Sequence, residues 1–233
     1  MIKIEHFTFN AFQTCCSVVW DKDGNCAFVD PGNSSGTETE EIVSFVKARG
    51  LKPVCIMLTH CHFDHIYGMS ALVREFDIPV YAHKEEEYTL AKTNPMVCKA
   101  FGLPLPDTFP IMDADGASIS SDRYVAVADG DVVNVGELRF EVIETPGHTK
   151  GGVCFYERSE KTLFCGDTLF AGAIGRTDHP GGDYDTLMRS IFEKLLHLDG
   201  ETAVIPGHGP STDIATERMT NPFLMPFNEP YDE

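Results

Sequence analysis

"VCIMLTHCHFDHIYGMSALVREF", residues 54 to 76, changes character twice. Its first five residues are continuously apolar, the pattern of a short buried strand. Positions 60 to 65 then hold His60, His62, Asp64 and His65. From Ile66 onward apolar residues return at helical spacing. A buried strand that runs through a polar loop into a helix belongs to an α/β sheet, and such sheets commonly place their sites at that junction. The stretch therefore predicts an α/β (α+β) chain with chemistry at the carboxyl end of a strand.

The flanking sequence fits that frame. IKIEHFTF opens the chain as a strand, and SVVW and CAFVD flank a D-K-D-G turn at 21 to 24. Residues 37 to 49 read as a helix, with Ser or Thr capping the start and Gly50 ending it. IPVYAH is a further strand and KEEEYTLA a short acidic helix. Residues 93 to 122 hold Pro95, Pro104, Pro106 and Pro110 with little periodicity, and read as a long irregular flap. Strands resume at YVAVAD, VVNV, LRFEVIET, GGVCFYE and KTLFCGD. The helix DTLMRSIFEKLLHL then precedes the strand AVIP and a C-terminal helix around ATERM. No repeat or low-complexity linker divides the chain, so residues 1–233 are expected to form one domain.

Bulk composition narrows the function classes. Eighteen basic against 36 acidic residues give a formal net charge of -18. Such a surface repels nucleic acid and anionic membranes, so neither is an expected partner. The start, MIKIEHFTFN, lacks a signal-peptide pattern, and no apolar run approaches the ~20 residues of a membrane span. The expected location is the cytoplasm. The eight cysteines form no C-x-x-C pair and sit mostly in apolar runs, as reduced buried thiols do. Cys61, between two histidines, is expected to point away from them.

Four further segments share the character of the histidine loop: TPGHTKGG (145 to 152), CGDTLF (165 to 170), GRTD (175 to 178) and PGHG (206 to 209). His148, Asp167 and His208 each follow a strand-like run and sit in a turn containing glycine. Imidazole and carboxylate together suit zinc, iron or manganese better than calcium or magnesium. Together with the first cluster they exceed the four ligands of a closed zinc site, and they suit two adjacent metals with open positions.

In order and spacing these motifs resemble the metallo-β-lactamase-fold hydrolases, and among them the glyoxalase II-like (hydroxyacylglutathione hydrolase-like) branch in its compact bacterial form, without a helical C-terminal domain. The resemblance runs from about residue 5 to residue 224. It implies a four-layer αβ/βα sandwich with the site at one edge of two sheets. It implies that His60, His62 and His148 hold one divalent metal, that Asp64, His65 and His208 hold a second, and that Asp167 bridges them. Zinc is the expected metal, with iron or manganese as alternatives.

The implied reaction is hydrolysis of a small-molecule thioester such as S-lactoylglutathione. Two divalent cations lower the pKa of a bridging water, and the resulting hydroxide attacks the carbonyl. Asp64 would orient the nucleophile or shuttle a proton. The alternative is a mono-iron persulfide dioxygenase on the same fold, using His60, His148 and Asp167. PGHGP around His208 favours the hydrolase. A non-catalytic metal-dependent binding protein is a third reading, disfavoured because structural sites are closed. A zinc β-lactamase is disfavoured by Asp167 at the bridging position.

Lesser expectations complete the picture. Asp30 in VDPG is expected to brace the metal loop. Arg176 and Asp178 should shape the site, and Lys150 and Arg176 are the nearest basic residues to it. His179 faces either substrate or solvent. His6, His83 and His197 are given no catalytic role.

Overall fold

The computed structural model describes residues 1–108 and 122–225. The chain starts with three antiparallel strands, β1 (Lys3–Phe9), β2 (Thr14–Trp20) and β3 (Asn25–Val29). Helix α1 (Gly36–Ala48) crosses over to β4 (Lys52–Met57), which runs parallel to β3. Ser35 caps α1 by accepting from the Glu38 N–H while Glu38 reaches back to the Ser35 N–H, a reciprocal capping box. Short α2 (Phe63–Ile66) and α3 (Met69–Phe76) lead to β5 (Val80–His83).

The chain from Lys84 is helical but irregular: a 3₁₀ turn at Lys84–Glu86, a π-turn at Thr89–Thr93, then α4 (Asn94–Phe101). The irregular chain expected over 93 to 122 is thus helical for most of its first third. Pro95 sits in the first turn of α4, directly after the π-turn, and Gly102 ends the helix at φ +65. Residues 109–121 lie outside the described residues.

β6 (Tyr124–Val127) completes the first sheet, in order β1-β2-β3-β4-β5-β6. The second half builds β7 (Val132–Val135), β8 (Leu138–Glu144), β9 (Val153–Glu157) and β10 (Thr162–Gly166). A small hairpin follows, β11 (Leu169–Phe170) with β12 (Ala173–Ile174). Helix α5 (Tyr184–Ser190) runs into a π-turn at Ile191–Leu195. β13 (Ala203–Pro206), β14 (Thr212–Asp213) and α6 (Ile214–Thr220) come last. The second sheet has the order β14-β13-β10-β9-β8-β7.

Burial divides the interior into three apolar layers. Val19, Ala27 and Met57 of the first sheet meet Val135, Phe140 and Phe155 of the second. The opposite face of the first sheet packs Cys26, Phe28 and Ile56 against Ile42 and Val46 of α1 and Leu72 of α3. The opposite face of the second sheet packs Cys154, Leu163 and Val204 against Leu187, Ile191 and Ile214. Alternate residues along each strand feed opposite layers, as strand geometry requires. This is the four-layer αβ/βα sandwich. Each fully buried phenylalanine, such as Phe28 or Phe140, contributes roughly 1.5–3 kcal/mol. Among the described residues no helix is long and apolar enough to cross a membrane.

Candidate metal centre

Every sequence-predicted site residue lies at one edge of this sandwich, just beyond a strand end, with Asp64 and His65 in the short helix α2 and the others on loops. His60 to His65 follow β4, His148 lies between β8 and β9, Asp167 follows β10 and His208 follows β13. The two sheets are pinned together here, because the Cys15 N–H donates to the Gly207 carbonyl at 2.7 Å and Thr14 bridges to His208.

At one end His60, His62 and His148 converge, with His62 Nδ1 only 2.9 Å from His148 Nε2. At the other end Asp64, His65 and His208 converge, with His65 Nε2 3.2 Å from His208 Nε2. Asp167 stands between them. Its carboxylate oxygens lie 3.5 Å from Nε2 of each of His65, His148 and His208.

The outer nitrogens are already committed, which fixes the rings. His65 Nδ1 donates to Asp30 at 3.1 Å, His148 Nδ1 to the Arg176 carbonyl at 2.8 Å, and His208 Nδ1 to the Phe12 carbonyl at 3.0 Å. Each Nε2 is left facing inward, the usual arrangement of ligand imidazoles. Asp30 also accepts from the Thr59 N–H and hydroxyl at 2.8 and 2.6 Å. It does so from the left-handed region at φ +48, a conformation that costs a non-glycine residue energy and tends to persist where function requires it. The expectation that Asp30 braces the loop agrees with this geometry.

Charge separates the two ends. Burial, then mutual repulsion with neighbouring imidazoles, holds His60 well below the usual histidine pKa; burial likewise lowers His62 and His148. Those three are therefore neutral, the form that binds metal. Burial also opposes charge on His65, but the Asp64 and Asp167 carboxylates outweigh it and raise its pKa to about 10. Burial works against the Asp64 carboxylate too, yet His65 and His208 hold its pKa far below the usual range.

Two buried atoms test whether metal fits. His60 Nε2 and Asp167 Oδ1 have no hydrogen-bond partner, although buried polar atoms nearly always find one. Gly207 leaves room beside them: a Cβ there would lie 2.3 Å from Asp167 Oδ1 and 2.6 Å from His65 Cε1. Orphaned donors of ligand type around a space kept clear by glycine fit a pair of divalent cations.

Several side chains that matter here carried no sequence signal. The Thr14 hydroxyl donates to Asp64 Oδ2 at 2.9 Å, and the Asn10 amide donates to the Asp64 carbonyl at 3.0 Å. Asn94 accepts from the Phe63 N–H and donates to the Cys61 carbonyl. Buried Glu86 accepts from the N–H groups of Cys61 and Gly151. Cys61 itself packs in the apolar layer with α1 and α3, away from the ligands as expected.

Other expectations divide. His179 lines the cavity beside the centre, its ring 4.8 Å from that of His62. Arg176 lines it too and pairs with Asp178 at 3.0 Å. Lys150 does not; its ammonium lies over the Tyr88 ring, 3.8 Å from the centroid. His83 is held by Glu144, and His6 and His197 are exposed.

A fold of two sheets with candidate metal ligands along one edge defines a class, and the sequence matches it: residues 10–208 fit the metallo-β-lactamase superfamily, to which the chain belongs. It is 36% identical over 223 residues to hydroxyacylglutathione hydrolase GloC of Haemophilus influenzae, covering 96% of this chain and 98% of that one. Among solved structures it is similar to the BLEG-1 B3 metallo-β-lactamase, with a TM-score of 0.84 and 34% identity, covering 96% of this chain and all of that one. It is also similar to TTHA1623 in a di-iron-bound form, with a TM-score of 0.78 and 34% identity over 94% of this chain and all of that one. ETHE1 from Myxococcus xanthus follows, with a TM-score of 0.71 and 25% identity over 94% of this chain and 83% of that one.

Proposed function

We propose that the protein is a binuclear metallohydrolase that cleaves a thioester, with S-lactoylglutathione as the reference substrate. The observation that carries this reading is the position of Asp167, within 3.5 Å of ligand atoms from both clusters. In it, His60, His62 and His148 would hold one cation and Asp64, His65 and His208 the other, with Asp167 placed between the two clusters. Two such cations supply an ionised water near neutral pH and stabilise developing negative charge.

The chain's residues do the rest. Asp30, the Arg176 carbonyl and the Phe12 carbonyl lock the imidazoles of His65, His148 and His208 against rotation. Thr14 grips one oxygen of Asp64, so that carboxylate is fixed within reach of a water and can orient it or take its proton. Water adds to the acyl carbon and the acyl C–S bond breaks. The thiolate takes up a proton, and the acid product ionises. The similarity to GloC supports this substrate class, and the di-iron form of TTHA1623 keeps iron beside zinc as a candidate metal.

A single-iron persulfide dioxygenase is the second reading, and the similarity to ETHE1 gives it weight. The experiment is elemental analysis combined with three assays: S-lactoylglutathione without oxygen, glutathione persulfide with oxygen uptake, and a β-lactam. Two metals per chain and anaerobic thioester cleavage are expected. One tightly held iron, with oxygen uptake and no thioester cleavage, overturns the proposal, as does turnover of the β-lactam alone.

A further inference from the structure

The cavity beside the centre measures about 530 Å³, well within the ~300–1,000 Å³ of small-molecule sites. His62, Asp64, His148, Asp167 and His208 make one part of its lining. Much of the remainder is apolar. Val97 and Phe101 of α4 contribute, with Leu103 just beyond the helix. Phe170 and Ile174 enter from the β11–β12 hairpin. Phe12 and Phe63 pack edge to face at 5.0 Å and complete it.

Phe101 is 76% exposed and Phe12 43% exposed, so two aromatic rings that line this cavity also meet water. Exposed apolar side chains gathered around one cavity, unlike scattered ones, mark a place where something binds.

Outside the candidate ligands the polar side chains on the lining are Thr93, Arg176 and His179, against seven apolar ones. Arg176 is the one arginine or lysine among the described residues lining the cavity, and Asp178 already holds it. S-lactoylglutathione brings a small hydroxylated acyl group and a tripeptide with two carboxylates. Neither part matches an apolar wall with one paired arginine.

We infer that the acyl group preferred by this site is apolar, a medium-chain or aryl acyl group carried on a thiol; the inference rests on the thioester-hydrolase reading above. The orientation follows from chemistry. Biological thiols that carry acyl groups are themselves charged, so that end gains nothing from the apolar wall and stays toward solvent. The acyl group is the part whose transfer out of water is favourable. The acyl carbon lies where the two parts of the lining meet.

The test uses the metal-loaded protein and a series of S-acyl-N-acetylcysteamines from acetyl to octanoyl, with the S-lactoyl compound beside them. Holding the thiol constant isolates the acyl group. The ratio kcat/KM should rise about fourfold per methylene until the cavity is full, and the lactoyl compound should fall near the short end. Phe101→Ser, at an exposed position, should flatten the slope. Calorimetry with the matching carboxylates, acetate to octanoate, provides a readout independent of turnover and should show a parallel rise in affinity. A rise in carboxylate affinity without turnover of any thioester counts against the hydrolase reading and for the apolar site. A series flat in both measurements, or a lactoyl preference over hexanoyl, overturns the inference whatever else the enzyme hydrolyses.

Discussion

Glu86 shows what a single buried carboxylate can do. It is fully buried, its Oε2 accepting from the Cys61 N–H at 2.7 Å and its Oε1 from the Gly151 N–H at 3.0 Å. One side chain thus ties the loop of His60 and His62 to the loop of His148. Burial pushes its pKa up, while those N–H bonds oppose the shift. Glu86→Gln keeps the shape but turns an NH₂ group toward one N–H donor, which should cost about 1–3 kcal/mol. Chelator competition should then show metal held roughly 10–100-fold more weakly, and an unchanged metal affinity would count against the tie. Asp167→Ala removes the group between the clusters, so activity should vanish while circular dichroism stays native; residual hydrolysis near the parent rate would exclude Asp167 from the chemistry. The candidate ligands stood out because His60, His62, Asp64 and His65 crowd six positions and His148, Asp167 and His208 stand in glycine-bearing turns. Their division between two metals came only from the family resemblance. Glu86 was not legible. In KEEE it looks like its neighbour Glu85, which is exposed, and only the tertiary fold tells them apart.

At the scale of elements, the strands of four or more residues and helix α1 were readable from their apolar runs and periods, whereas the two-residue strands β11, β12 and β14 were not. The segment after β5 was not. Its prolines suggested irregular chain, yet Pro95 sits in the first turn of α4, and a π-turn at Thr89–Thr93 precedes it. Extra residues in a helix break the 3.6-residue period that sequence reading relies on. This insertion has a consequence for the metal loop. It delivers buried Asn94, whose amide oxygen accepts from the Phe63 N–H at 3.1 Å and whose amide nitrogen donates to the Cys61 carbonyl at 2.8 Å. Helix α4 therefore supplies the cavity wall and also supports the ligand loop. Asn94→Ala leaves two buried backbone groups without partners. Each unsatisfied group costs roughly 1–3 kcal/mol, so the thermal midpoint should fall and metal retention on dialysis should drop with it. A variant with the parent midpoint and full metal would reduce α4 to a wall.

Across the whole molecule, the two sheets meet through the apolar layer, at the metal edge, and through Asp21 between two turns. Asp21 ends the β2 side of the turn at 21 to 24, which the sequence did reveal. Its Oδ1 accepts from the Asp23 and Asn25 N–H groups, and its Oδ2 accepts from the Asn25 amide and from the Glu137 N–H in the β7–β8 turn. That last bond, at 3.1 Å, joins the first sheet to the second. Gly136 allows the approach: at φ +60 a Cβ would collide with the Asp21 carboxylate. Nothing in the sequence pairs residue 21 with residue 137. Burial alone would raise the Asp21 pKa, but the Asn25 amide and the three N–H groups outweigh it and lower the folded value. The sign follows. A carboxylate whose folded pKa lies below its unfolded value of about 3.9 stabilises the fold fully above that pH. The contribution is lost as the pH falls through the lower, folded value. Asp21→Asn should therefore cost about 1–3 kcal/mol near pH 7. Urea midpoints of parent and variant should converge as the pH is taken from 7 toward 3, the subtraction cancelling the histidines and other carboxylates common to both. A gap that stays constant across that range would mean that Asp21 acts through shape rather than charge.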